Sequence, residues 1–394
     1  MNLEEFVDDL NSSVFFKEFT FSENTFTPAG GSELELADNI VWMADDLTIL
    51  QLKERSAADV KDDASETRWF EDKVLGKATK QVRDTLKYLE AHPSITVTNG
   101  HGHRFEIRGE EIRTKTKIVA FLPGGIVPDR AKTTRHHVSR TGGFIHVLHA
   151  RDYLDICRAL RVPADIRDYF AYRQILFERN EGMQASEPQI MGQYLSGDTA
   201  VLPTDDSLKY LSNLKQNYSE FDIGPLLADI HRHIEHQANP YDYYEILRQF
   251  SRLPRSGWKE AKTRFSYCIE AVRKQEFRRP TRFAWPSLSV GFMFAAVDPK
   301  VMEEKNFVEL MKRGLLNLTA AHKYDQRLNC CVGVVMAKDK TDILIYWCVI
   351  TQPWEFDAAM DAKLKENNPF LGVEEKVIPR FEFSEQRGCS PSSG

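Results

Sequence analysis

The chain has 394 residues, 42% of them hydrophobic and 28% charged, with a formal net charge of −6. That balance is ordinary for a globular protein with a normal core, and the length is enough for two or three domains. It excludes a globally basic coat for nucleic acid. It also excludes a disulfide scaffold, because the six cysteines show neither CxxC pairing nor zinc-like spacing and read as reduced core residues.

The N-terminus, MNLEEFVDDL, is acidic and has no apolar signal region. No apolar run approaches the roughly 20 residues that a membrane span needs, so a cytoplasmic protein without a membrane partner is expected. Residues 1–21 read as a helix and then an extended apolar piece, and Pro28, Gly30 and Gly31 break the pattern. The stretch GSELELADNIVWMADDLTILQLKER predicts two apolar strands, 35–43 and 47–55, around a turn at Ala44 and Asp45. Counting outward from that turn places Asp38 opposite Gln51, at a side-chain separation of roughly 5 Å. Lys53 shares the face of Gln51 because side chains alternate along a strand. By the same alternation Glu35 is expected on the face opposite Asp38, while Asp45 and Asp46 lie at or beside the turn and drop out. A carboxylate, an amide and an ammonium thus converge inside an otherwise hydrophobic sheet, which is costly unless they pair or hold a cation.

Residues 65–89 place Trp69, Val74, Leu75, Val82, Leu86 and Leu89 at helical intervals, with Lys77 and Gln81 one turn apart as either phosphate contacts or plain surface residues. Residues 94–108 alternate like a hairpin with Asn99 and Gly100 at its turn, and KTKIVAFLPGG and GGFIHVLHA read as further strands. The polar segment between them is read as a loop carrying Arg130, Lys132, Arg135, His136, His137 and Arg140, either a phosphate-binding track or an ordinary solvated loop. Two helices split at Pro163 follow. Residues 181–205, rich in Gly, Pro, Ser and Asp, are taken as a linker, so the chain divides into 1–180, 181–205, 206–380 and a tail 381–394 expected to be disordered. Residues 206–275 are helical by pattern. A second, smaller α/β pattern follows, with strands in TRFAWPSLSVGFMFAAV, CCVGVVMA and ILIYWCVI and a closing helix in WEFDAAMDAKLKEN. A second basic group, Arg252, Arg255, Lys259, Arg264, Arg273, Lys274, Arg278, Arg279 and Arg282, reads either as a backbone-binding face or as a solvated helix face. HRHIEH (His231, His233, His236) and the pair His101 and His103 are weak metal candidates. There is no Walker A loop, no GxGxxG after a strand and no GxSxG elbow.

Two apolar strands bearing Asp38 and Gln51-x-Lys53, followed by a long amphipathic helix, resemble the PD-(D/E)XK nuclease superfamily in the Gln-x-Lys variant of Mrr-like restriction enzymes. The resemblance covers the N-terminal part only. It implies a restriction-endonuclease-like mixed sheet flanked by helices, and a Mg²⁺-dependent endonuclease acting on DNA, with RNA left open and Mn²⁺ able to substitute. By position it implies Asp38 as metal ligand, Gln51 as the second site residue and Lys53 as the catalytic lysine. The family usually adds a glutamate from an N-terminal helix, for which Glu4, Glu5 and Glu18 are all candidates here. Gln51 departs from the commoner acidic residue and removes one negative charge. The second half resembles the C-terminal part of uncharacterised prokaryotic proteins that begin with such a hairpin, on GFMF and the basic helix before it. A role in prokaryotic antiviral defence follows from resemblance alone. A homodimer is expected if both strands of a duplex are cut, and the C-terminal region is expected to bind a partner, sense a signal or complete the substrate groove. The competing readings are a structural Asp38–Lys53 ion pair at a strand end with Gln51 as an edge residue, and a nuclease fold kept without cleavage as a nucleic-acid-binding, regulatory or partner-binding module.

Overall fold

The computed structural model describes residues 2–22, 24–27, 31–232, 241–340 and 342–370. They are mixed α/β, as the sequence predicts, and fall into two compact units, Met1–Gln216 and Asn217–Gly394. Among the described residues no helix is long and apolar enough to cross a membrane.

In the first unit the helix Leu3–Phe15 begins at an Asn2 cap completed by a Glu5 capping box. It leads to β1 (Thr20–Phe21) and then to the paired β2 (Thr25–Phe26) and β3 (Leu34–Glu35). β4 (Asn39–Met43) and β5 (Asp46–Glu54) form the predicted hairpin, with Asn39 paired to Leu50 and Met43 to Asp46. Two residues remain for the turn, and Ala44 meets that constraint with a left-handed φ of 56°. A second predicted hairpin joins β6 (Ile95–Thr98) to β7 (Arg104–Ile107) through the loop 99–103. With β8 (Thr114–Leu122), β9 (His136–Ser139) and β10 (Gly143–His149) the main sheet has the order β1-β4-β5-β8-β10-β9. β5, β8 and β10 are parallel, so their carboxyl ends share one edge of the sheet. The register Lys53–Phe121–His149 sets those three side chains in one row on one face.

A continuous helical run closes that face: Asp63–Trp69, a π-helical stretch Phe70–Ala78, and Thr79–Ala91. It begins and ends close to the predicted 65–89. Val74, Ala78 and Val82 interleave with Val119, Phe121 and Val147, and Leu89 packs with Leu36, Ile40 and Ile49. The other face packs on the helices Leu3–Phe15 and Ala150–Leu160. Helix Pro163–Arg179 follows, with Pro163 in its first turn where no amide donor is needed.

Three expectations are corrected. The first predicted strand is broken: Leu34–Glu35 pair with β2, and the Asp38 strand starts only at Asn39. The turn between them is fixed by Leu36, whose amide donates to Asn24 O at 2.8 Å. The polar segment before β10 is not a loop throughout, since it holds the helix Asp129–Thr133 and the edge strand β9. The supposed linker 181–205 contains the helix Glu187–Ser196, which buries Ile190, Met191, Tyr194 and Leu195 and packs on the helix Leu208–Gln216. The compact units therefore divide at Gln216/Asn217 rather than within 181–205. The linker-like composition is helix punctuation: Ser186 caps the start, Pro188 lies in the first turn, and Gly197 ends the helix at φ 77°. Gly192 is there for close approach, since a Cβ would stand 2.2 Å from Ser207 O. Gly192→Ala should therefore lower stability by about 1–3 kcal/mol, the usual cost of overpacking, measured as a reduced urea midpoint with an unchanged slope.

In the second unit the helices Asp242–Arg252 and Arg255–Lys274 precede β11 (Thr281–Trp285), β12 (Val290–Ala296), β13 (Cys330–Asp339) and β14 (Asp342–Ile350). These strands lie in that order, and the helix Phe307–Asp325 makes the one parallel connection, β12 to β13. The helix Ala358–Glu366 follows as predicted. Cys157, Cys268, Cys330, Cys331 and Cys348 are free thiols, and burial pushes Cys157, Cys268 and Cys330 up to about 12. His233, His236, Cys389 and the tail 381–394 lie outside the described residues.

Candidate active site

Asp38 stands one residue before β4, and the hairpin register carries it to the position opposite Gln51. Its carboxylate Oδ2 accepts the Leu52 amide at 2.5 Å and lies 3.4 Å from Lys53 Nζ, which also donates to Leu52 O at 2.7 Å. Gln51 is buried at 2% exposure, with its amide terminus 3.2 Å from both Asp38 oxygens. In one amide orientation the nitrogen points there and both contacts become hydrogen bonds. In the other, Oε1 faces two acceptor oxygens, an arrangement that only a cation or a proton relieves. Oxygens about 3 Å apart match the edge of a Mg²⁺ octahedron with ~2.1 Å bonds. The orientation that satisfies both residues is the first, with Gln51 Nε2 donating to Asp38; a hard divalent cation would need the amide turned so that Gln51 Oε1 sits beside the Asp38 oxygens. The three residues named from the sequence are brought together.

More charge surrounds them than the alternation rule allowed. Glu35 is exposed, yet partial desolvation of its carboxyl raises its pKa, and the negative charges of Asp38 and Glu4 raise it further. Lys53 and Lys77 act in the opposite direction. All four groups thus lie within electrostatic reach of Glu35, and alternation along one strand does not apply to it, because Glu35 and Asp38 do not share a strand. The break at Leu36–Asp38 is the physical reason. Glu4 comes from the first turn of the helix Leu3–Phe15, held against the end of β5 by the Leu3 amide donating to Glu54 Oε2 at 2.9 Å. Of the other N-terminal candidates, Glu5 completes the Asn2 capping box, and buried Glu18 meets His101 Nε2 at 3.0 Å. His101 is thereby engaged in the hairpin loop, with its ring 5.9 Å from that of His103.

The long helix adds Lys77, exposed and in the field of Glu35, and Gln81, whose buried Oε1 has no hydrogen-bond partner. The turn after Gln81 is tied to the segment that leads into Asp38 by the Thr85 hydroxyl, which donates to Leu36 O. Asp45 and Asp46, set aside from the sequence, pair with Arg113 and Arg167 respectively.

The basic segment divides by strand direction. Arg130, Lys132 and Arg135 follow the carboxyl end of β8, the edge on which Lys53 lies, whereas Arg140 sits in the β9–β10 turn at the opposite edge. His136 stacks on Phe144 at 4.8 Å, and burial lowers the pKa of both His136 and His137. The second basic group is largely consumed inside its own unit. Lys259 pairs with Glu220, Arg264 with Glu260, Lys274 with Glu270, Arg278 with Glu270 and Glu276, and Arg282 with Asp325. Arg255 is buried and lies over the Phe221 ring. Arg252 donates to Gln249 at 3.1 Å. Only Arg273 and Arg279 are exposed without an ion pair among the described residues, so no continuous basic face forms there.

Sequence reasoning missed Asp152, whose carboxyl burial pushes up to about 6, with Glu187 adding to the rise and Arg135 opposing it. A folded-state value above the unfolded one means that the folded protein binds the extra proton, so stability falls as pH rises from about 4 to about 6. Asp152→Asn should flatten that segment of the stability–pH curve. Relative to wild type it should gain about 1–2 kcal/mol between pH 4 and pH 8, read from urea midpoints, after discounting for partial exposure.

No protein-family profile, curated protein or solved structure matches the chain.

Proposed function

We propose that the protein is a metal-dependent nuclease that hydrolyses phosphodiester bonds in DNA at the Asp38–Gln51–Lys53 centre. The observation that carries this is the approach of the Gln51 amide terminus to both oxygens of a carboxylate that also faces the Lys53 ammonium. Asp38 and Gln51 Oε1 would hold the divalent ion, with Glu35 and Glu4 as further carboxylates within electrostatic reach. Such an ion supplies a polarised phosphoryl oxygen and an acidified water. Lys53, its stem buried and its head fixed on Leu52 O, presents a positive charge to the attacking water and to the phosphorane-like oxygens as charge develops. Lys77, exposed on the helix over the same face and in the field of Glu35, suits a flanking phosphate.

Incubation of the protein with supercoiled plasmid, single-stranded DNA and RNA, in Mg²⁺, in Mn²⁺ and in EDTA, tests the proposal. Cleavage should require the cation, and Asp38→Asn should reduce it at least about 1,000-fold, since several kcal/mol of metal-derived charge stabilisation is lost. Equal cleavage by Asp38→Asn, or cleavage persisting in EDTA, would refute the assignment.

A further inference from the structure

The same sheet edge carries a polar cavity two strands from Lys53. It is a cleft of about 230 Å³ at the carboxyl ends of β8 and β10, floored by Phe121 and Val147. Its polar lining is Lys132, Thr134, Arg135, His149, Arg151 and Asp152, three permanent cations against one carboxylate. The register Lys53–Phe121–His149 puts it on the face that carries Gln51 and Lys53, two strand spacings away, or roughly 10 Å.

The cleft is built rather than incidental. Arg135 is held from behind: its carbonyl accepts Arg173 Nη1 at 3.2 Å and the Val147 amide at 3.0 Å, while its guanidinium lies 3.8 Å from Asp152. Arg173 is itself fully buried and tied to Glu187 at 2.8 Å, so the wall bearing Arg135 is anchored to the core of the unit. On the opposite side the ring of His149 packs edge-on to Phe121 at 5.6 Å, and His149 Nδ1 accepts the Arg151 amide, which fixes the backbone at Arg151 while leaving the side chain exposed. Lys132 pairs at the surface with exposed Asp129. Two arginines from different elements thus converge on one concavity whose single carboxylate is already shared with Arg135.

We propose that this cleft binds a phosphate group of the nucleic-acid strand whose scissile phosphodiester lies at Asp38 and Lys53, with Arg135 and Arg151 as its principal contacts. The proposal rests on the nuclease reading for the identity of the strand. Forked guanidinium donors and an imidazole N–H match the oxygens of a phosphate. Its place in line with Lys53 sets the strand's direction across the carboxyl edge of the sheet. The phosphate is either internal to the strand or its 5′ terminus, and both carry the same oxygens.

The test is binding measured by fluorescence anisotropy, in EDTA so that nothing is cut. The full-length protein is titrated with labelled single strands bearing a 5′-phosphate or a 5′-hydroxyl, at several salt concentrations. Arg151→Gln, exposed and safe for folding, and Arg135→Gln should each weaken binding about tenfold and reduce the salt slope by about one. If the loss occurs only with the 5′-phosphate strand, the cleft holds the terminus. If it occurs with both strands, the cleft holds an internal phosphate. Unchanged affinity and salt slope in both variants overturns the proposal, as does failure of the wild type to bind either strand. The nuclease reading fails separately, if the wild type shows no cation-dependent cleavage while the Arg151 effect on binding persists.

Discussion

Lys53→Met should leave the protein folded and cut its single-turnover cleavage rate about 100- to 1,000-fold, the range for removing one donor aimed at developing charge. Methionine keeps the apolar stem that β5 buries but removes the ammonium that sits 3.4 Å from Asp38 and 2.7 Å from Leu52 O. The Asp38 carboxylate would still be held by the Leu52 amide, so the loss belongs to the reaction and not to the site's shape. The matched control is Lys53→Arg, which keeps the charge on a longer, planar head. It should retain part of the activity, because Lys53 acts by charge and position and not by a bidentate contact. A Lys53→Met rate within a factor of three of wild type, with circular dichroism unchanged, would remove Lys53 from the chemistry.

Arg173→Met should cost about 3–5 kcal/mol of stability, the usual penalty for removing one partner of a buried ion pair. Arg173 and Glu187 are both almost wholly buried, and Nε meets Oε1 at 2.8 Å while Nη2 meets Oε2 at 3.2 Å. The same guanidinium holds the Arg135 carbonyl and His146 Nδ1, and the Tyr169 hydroxyl donates to Glu187. Burial and the Arg173 charge keep His146 far below its ordinary pKa, so it is a neutral partner at any physiological pH. Removing Arg173 leaves Glu187 ionised in the core, or forces it to take a proton. Changing both residues, Arg173→Met with Glu187→Leu, should recover most of the loss. A double-mutant cycle on urea midpoints measures the coupling, and additive effects would show that the two do not act as a pair.

The hairpin was legible because its turn admits only one count. With Ala44 and Asp45 at the tip, the pairing of Asn39 with Leu50 follows, and Asp38 meets Gln51. Apolar periodicity also carried the long helix and most strands of both units, since each buries one face or stripe. Glu35 was not legible, because strict alternation assumes an unbroken strand. The chain instead leaves the β2–β3 pair and turns at Leu36, held by Asn24 O. Sequence also could not say which of Glu4, Glu5 and Glu18 has its charge near Glu35, since that depends on which helix end docks on β5. The linker failed for a related reason: Ser186, Pro188 and Gly197 mark helix ends as readily as loops, and burial of Ile190 and Leu195 decides between them. The cleft at Arg135 and Arg151 joins residues from separate elements, so only the parallel order of β5, β8 and β10 could bring it into line with Lys53.

The central claim is that Asp38 and Gln51 form a divalent-cation site, and thermal unfolding with and without Mn²⁺ tests it without any substrate. Gln51→Glu places a second carboxylate where the amide stands 3.2 Å from both Asp38 oxygens. Without metal, like charges so close cannot both ionise freely, and the variant should melt several degrees below wild type, at about 1–3 kcal/mol of lost stability. Mn²⁺ should restore that loss and raise Gln51→Glu by more than it raises wild type, by mass action on the folded state. Asp38→Asn should not respond. Equal Mn²⁺ shifts in all three proteins, or none in any of them, would contradict the account.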